Sequence, residues 1–113
     1  PQRLLAAEVT REKAYLYLHQ ELPYALAVDT EDWQDFKDGS VRIGQVVYVE
    51  RETQKGIVLG KGGQTIKRIR SEAQQDLAEM LERPVHLFIH VKVRENWIND
   101  PGRYREWGLR FDA

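Results

Sequence analysis

The chain contains no cysteine. That excludes a disulfide framework, thiolate metal ligands and a cysteine nucleophile, and it is compatible with a reducing compartment. Long apolar runs are missing too: nothing approaches the ~20 consecutive apolar residues of a membrane-spanning helix. No signal-peptide pattern opens the sequence, so no export is expected. Net charge is nearly absent, because 17 Lys and Arg face 18 Asp and Glu to leave −1. Taken alone, that balance argues against a nucleic-acid binder. There is also no internal repeat and no low-complexity tract. What is present is the composition of one globular domain, 113 residues with 42% hydrophobic and 31% charged. That length supports a single core. The first residue is Pro1 rather than Met, as expected of a piece of a longer polypeptide.

The distribution of charge says more than its sum. Between Gln54 and Arg70 lie Lys55, Lys61, Lys67, Arg68 and Arg70 with no acid, whereas Asp29, Glu31, Asp32, Asp35 and Asp38 crowd a stretch holding only Lys37. Such segregation steers an anionic partner to one place on the surface.

Patterning gives the order α-β-β-(α)-loop-α-β-α. Leu4 to about Gln20 is rich in helix formers, and Pro23 cannot continue a helix. Tyr24 to about Trp33 reads as a strand that runs into an acidic loop, with Asp38-Gly39 as a turn. The β-branched run Val41 to Glu52 is a second strand. Gln54 to Leu59 allows one or two helical turns. Ile66, Ile69, Ala73, Leu77 and Met80/Leu81 then recur at helical spacing, predicting a helix over Gln64 to Leu81 closed by Pro84. Val85, Leu87, Ile89, Val91 and Val93 alternate with His86, Phe88, His90 and Lys92, which places the two sets on opposite faces of a strand. Asp100-Pro101 predicts a last helix, with Gly108 as its stop.

"GKGG", Gly60 to Gly63, sits between two of these helical segments. It is not a nucleotide-hydrolysing loop. A Walker motif needs a glycine where Lys55 stands and a hydroxyl where Gly62 stands, and a dinucleotide fingerprint needs a glycine in place of Thr65. As G-x-x-G it serves another purpose. Glycines let a backbone approach a sugar–phosphate chain closely, and the N–H groups that open the next helix attract anions. Order of charge along that helix points the same way. Lys67, Arg68 and Arg70 lead it, whereas Glu72, Asp76, Glu79 and Glu82 trail it. The helix dipole favours the reverse, by ~0.3–1 kcal/mol per charge. Replacing Lys67 and Arg68 by Glu is therefore expected to stabilise the free domain slightly while weakening its hold on phosphates.

Other constellations carry less. His86 and His90, four residues apart on a strand, are roughly 13 Å apart, too far to share an ion. The acidic stretch lacks calcium-loop spacing and reads as a solvated strand-end loop. Trp33, Trp97 and Trp107 are candidates for base-stacking platforms or packing residues, with packing favoured for Trp97 and Trp107, and Tyr15 and Tyr17 read as core or rim. No metal site or cofactor is expected.

The stretch Ile57 to Val93 resembles the I-[IV]-[IL]-G-x-x-G-x-x-I-K signature of a type II KH domain. "REK" (11–13), "ELPY" (21–24), "VYVER" (47–51), "QK" (54–55), "PVHL" (84–87) and "VKV" (91–93) are similar to the C-terminal domain of the bacterial Era GTPase family. The resemblance covers nearly the whole chain. It implies an α+β fold, a three-stranded sheet with helices packed on one face plus a C-terminal helix, forming a single KH domain over 1–113. It implies single-stranded RNA as partner, specifically the 3′ end of 16S ribosomal RNA and the 30S subunit, in maturation of the small subunit. The family's N-terminal GTPase domain is an implied partner, but its guanine-recognition and Walker motifs do not occur here, so no enzymatic activity is expected. A cytoplasmic location with peripheral association at the inner membrane is also implied. On this reading Gly60, Lys61, Gly62 and Gly63 hold the sugar–phosphate chain and Lys67 adds charge. Lys55, Arg68 and Arg70 stand at the rim, and Ile57, Val58 and Ile66 line a groove for bases. The family often carries a bulkier polar residue where Gly62 stands, which implies a more flexible loop here. The alternative is a KH scaffold that docks proteins without binding RNA.

Overall fold

The computed structural model describes residues 1–20 and 26–94. Helix α1 (Gln2–Leu18) is followed by strands β1 (Ala27–Asp35) and β2 (Val41–Val49). Helix α2 (Glu52–Leu59), a single 3-10 turn (Lys61–Gly63), helix α3 (Gln64–Leu81) and strand β3 (Val85–Val93) complete the described chain. The strands form one sheet in the order β1-β2-β3, with β1 antiparallel and β3 parallel to β2. Among the described residues no helix is long and apolar enough to cross a membrane.

A hairpin joins β1 to β2. Gly39 turns the chain at φ 90°, and Asp38 accepts from the Ser40 N–H at 2.9 Å and hydroxyl at 2.6 Å. These Ser40 bonds hold the Asp38 carboxyl below the usual carboxylate range. Parallel pairing of β2 with β3 demands a crossover, and α2 and α3 provide it. All three helices pack on one sheet face. Val41, Ile43, Val47 and Val49 of β2 and Val85, Leu87 and Val91 of β3 point into the core there, against Ala6, Val9, Ala14 and Leu18 of α1 and Ile69, Ala73 and Leu77 of α3. The small alanines of α1 let it lie close to the sheet.

One polar chain crosses this core. The buried Thr10 hydroxyl donates to Gln45 Oε1 at 2.5 Å, Gln45 Nε2 donates to Thr30 Oγ1 at 3.3 Å, and Thr30 donates to the Arg3 carbonyl at 2.8 Å. It ties α1 to the two hairpin strands in one register.

Helix α3 and strand β3 have the bounds that their periodicities predict, and β3 alternates buried and exposed as expected. The stripe of α3 ends on half-buried Leu81, whereas Met80 is exposed. β2 stops at Val49 instead of running to Glu52, because the Gln54 side chain accepts the N–H groups of Glu50 (3.0 Å) and Arg51 (2.9 Å) and starts α2 early. The acidic residues are not a strand-end loop: Asp29 to Asp35 lie within β1, and Asp29 is buried. β1 is hydrogen-bonded to β2 through that stretch, with its register shifting between Thr30 and Asp32. Tyr15 is exposed and stacks on His19, and Tyr17 lies at the rim. The Asp100-Pro101 helix with its Gly108 stop, and Trp97 and Trp107, lie outside the described residues.

Replacing Gln45 with Leu leaves the buried Thr10 hydroxyl without its acceptor, a loss of about 1–3 kcal/mol. The variant is expected to melt several degrees lower. Adding Thr10→Val should recover part of that loss, because removing both partners of a buried hydrogen bond is nearly neutral. A thermal melt of the single and double variants measures both.

Candidate functional site

The corner of the crossover is Gly60–Gly63. Gly60 sits at φ 72°, ψ 175°, a region essentially reserved for glycine. A Cβ there would lie 2.1 Å from Thr65 Oγ1 and 2.7 Å from Thr65 Cβ. Close approach of the α2 end to the first turn of α3 therefore requires glycine at this point. Gly62 (φ 61°, ψ 20°) and Gly63 (φ 76°, ψ 15°) are left-handed for a different reason: they reverse the chain, and a Cβ on either would meet nothing within 4 Å. The bulkier polar residue that the family resemblance puts at Gly62 thus has room. Two backbone bonds pin the corner, Gly60 N–H to the Gly56 carbonyl at 2.9 Å and Gly63 N–H to the Gly60 carbonyl at 3.1 Å.

What this corner presents is positive. No side chain caps the N-terminus of α3, and no acid stands in its first turn. Lys61 and Lys67 are exposed on either side of it, and Lys55 is half-buried on α2. Among the described residues none of these three lysines makes an ion pair. Ile57 and Ile66 flank the corner half-buried, resting on the core while keeping part of their surface outside. Glycine backbone, a helix N-terminus that no side chain caps, lysines and an apolar margin suit a sugar–phosphate chain with bases lying beside it.

One of the expected contacts is placed differently, and two others have partners of their own. Val58 is fully buried in the core beneath the corner, so its side chain supports the loop from behind and does not line a groove. Arg68 turns toward α1: its guanidinium lies 3.5 Å from the Glu72 carboxylate and 4.7 Å from the centre of the Tyr17 ring. The Tyr17 hydroxyl in turn donates to Glu72, which pushes its pKa above the ordinary phenol range. Arg70 is half-buried, 3.5 Å from Gln74 Oε1, the same oxygen that accepts the Leu87 N–H at 2.9 Å.

The order of charge on α3 therefore has a structural part that the sequence pattern hid. Asp76 trails because it pairs with Lys13 of α1 at 2.7 Å, a hydrogen bond that raises the Lys13 pKa. Glu72 trails because it holds Tyr17 and Arg68. No local signal foretold the Lys13 and Tyr17 contacts, since those partners are more than fifty residues away; Arg68 and Glu72 are an i,i+4 pair on one helix. Within the described residues no group of His, Asp and Glu could hold a metal ion.

A KH-domain family profile matches residues 21–98. The chain is 64% identical over 111 residues to GTPase Era of Sinorhizobium medicae and 65% identical to that of Brucella suis; each match covers 98% of this chain and 36% of the relative. It thus spans little more than a third of the curated relatives it matches. Two Era crystal structures superpose with TM-scores of 0.88 at 37% identity over 98% of this chain. In one, Aquifex aeolicus Era is bound to GDP·AlF4−, and this chain covers 38% of it. In the other, of which this chain covers 37%, Era is in complex with MgGDPNP and nucleotides 1506–1542 of 16S ribosomal RNA. The fold matches the three-stranded sheet with three helices on one face.

Two separations follow from the geometry. Gly60→Ala should destabilise the domain, through a backbone strain of about 1–3 kcal/mol and the overlap with Thr65, whereas Gly62→Asn should melt close to the parent. Lys67→Glu should raise the melting temperature slightly, since an acid near the helix N-terminus gains ~0.3–1 kcal/mol. Arg68→Glu should lower it, because it loses Tyr17 and faces Glu72 one turn away. This revises the joint stabilisation expected of the two charge reversals. Thermal melts of the four single variants check both separations.

Proposed function

The chain belongs to the KH-domain family, and from that premise we propose that it binds single-stranded RNA at the Gly60–Gly63 corner. The observation that carries this reading is the corner itself. Three glycines with positive φ expose the backbone beside an uncapped helix N-terminus, between Lys61 and Lys67. Phosphates are held by backbone N–H groups at the start of α3 and by lysines that pair with no carboxylate among the described residues, and bases rest against Ile57 and Ile66. Lys55 and the exposed Arg68 add charge at the rim, while the half-buried Arg70 lies against Gln74.

The RNA we infer is the 3′ region of 16S ribosomal RNA, the partner of the Era structure that superposes on this chain. Maturation of the small ribosomal subunit is the process this assigns, in the bacterial cytoplasm. Within a longer protein the domain acts as the RNA-reading part beside a GTPase domain, since the relatives are nearly three times its length. Nothing in the chain's own residues supplies nucleotide hydrolysis.

The test is fluorescence anisotropy with labelled RNA of nucleotides 1506–1542. Binding by the parent should weaken steeply as salt rises, because each neutralised phosphate releases counterions. Lys61→Asp with Gly62→Asp should abolish it while the melting temperature changes little, the two side chains being exposed. Unchanged affinity in that folded double variant rejects the corner as the site. A parent that binds no RNA leaves the scaffold as a protein-docking module.

A further inference from the structure

On the side of the sheet away from the helices, β3 presents His86, Phe88, His90 and Lys92, all exposed. Phe88 keeps 48% of its surface open to solvent in the middle of this face. Its register neighbour on β2 is Gly44. With no side chain at Gly44, the floor beside the ring stays low, and a Cβ there would press on Asp32 Cβ at 3.0 Å. Arg42, one outward position along β2, lays its guanidinium 5.0 Å from the centre of the Phe88 ring. It reaches Asp32 only at 3.9 Å and stays half exposed.

A single exposed aromatic needs no explanation. This one sits in a shallow dish with a cation over its ring and two histidines and a lysine along its strand. Acids share this face: Asp32, largely exposed, lies 3.9 Å from Arg42, and Glu31 accepts the Tyr48 hydroxyl at 2.7 Å. A protein-docking patch would need a contiguous apolar area. Here one ring is surrounded by cationic and titratable groups, which is the composition of a base-stacking platform on a charged surface.

We propose that the Phe88 face is a second contact for single-stranded RNA, stacking one unpaired base on Phe88 while Arg42, displaced from over the ring, and Lys92 meet the flanking phosphates. The proposal rests on the RNA reading of the Gly60–Gly63 corner and extends it to the opposite face. The domain is 18 Å through its shortest dimension. A strand must pass round the edge of the domain, and at a rise of ~3.4 Å per nucleotide it needs more than about five nucleotides beyond the corner to reach the other side. RNA of about four nucleotides, the length one KH clamp holds, would fill the corner alone.

The test compares a tetranucleotide with the 1506–1542 RNA on the full 113-residue chain and three variants. Phe88→Ala should weaken the long RNA about tenfold, the loss of one base stack, and leave the tetranucleotide unchanged. Phe88→Trp should restore or improve the long-RNA affinity. Phe88 is half exposed, so melting temperatures should stay near the parent; a large drop in both Phe88 variants would instead make the residue structural and overturn the proposal. Parent-like affinity of a folded Phe88→Ala variant for the long RNA also overturns it, leaving the corner assignment intact. Loss of all binding in Lys61→Asp/Gly62→Asp, with Phe88→Ala unaffected, assigns the whole RNA contact to the corner. If the parent binds neither RNA, both readings fall together.

Discussion

Parallel pairing of β2 with β3 is the constraint from which the rest follows. A chain that leaves β2 at Val49 and re-enters beside it at Val85 must cross back over the sheet, and only a helical crossover covers that distance while burying an apolar face. The crossover must also turn between its two helices. Gly60 is where it turns, and Thr65 packs so near that no other residue fits without moving α3. The glycine that forms the exposed corner is therefore also the one that closes the fold. Gly62 and Gly63, with open space around them, carry no such packing constraint.

Interhelical pairing sorts the cations of α3 and its neighbours into two groups. Lys13–Asp76 and the Tyr17–Glu72–Arg68 cluster fasten α1 to α3, which steadies the helix whose N-terminus forms the corner. Exposed pairs of this kind contribute little each, ~0.2–1 kcal/mol. Their value here lies in orientation. They draw Arg68 toward α1, while Lys61 and Lys67 remain directed to solvent. A near-neutral chain can thus keep a locally unneutralised surface, which is what an anionic strand needs.

The two sheet faces divide the labour differently from the two halves of the sequence. The inner face carries the helices and sets the position of the corner; the outer face keeps its centre open at Phe88 while Ala27, Val46 and Tyr48 are buried toward one end. The motifs shared with the Era family turn out to be largely structural where they are described. Lys13 of "REK" pairs with Asp76, Gln54 of "QK" starts α2, and Tyr48 of "VYVER" bonds Glu31.

Helix α3, strand β3 and the glycine corner were legible in the sequence because their signals are local: a 3.6-residue stripe, a two-residue alternation and three glycines in four positions. The rims were legible less well. The start of α2 depends on one glutamine reaching back to two N–H groups, and the acidic stretch belongs to a strand because β2 lies alongside it. The identity of the available cations was not legible at all. Lys67 and Arg68 are adjacent, alike in sequence and both exposed, yet Arg68 alone is paired among the described residues, with Glu72 and the Tyr17 ring. Val58 and Ile57, also adjacent, divide between core and margin. Periodicity by itself determined which segments are helix and strand and which side of each is apolar, since those depend on spacing along one element. Which helix pairs with which, which glycine cannot be replaced and which face stays open were decided only by the folded structure: Lys13 meets Asp76 and Tyr17 meets Glu72 across the chain, and Gly60 meets Thr65 only because the corner folds back on the start of α3.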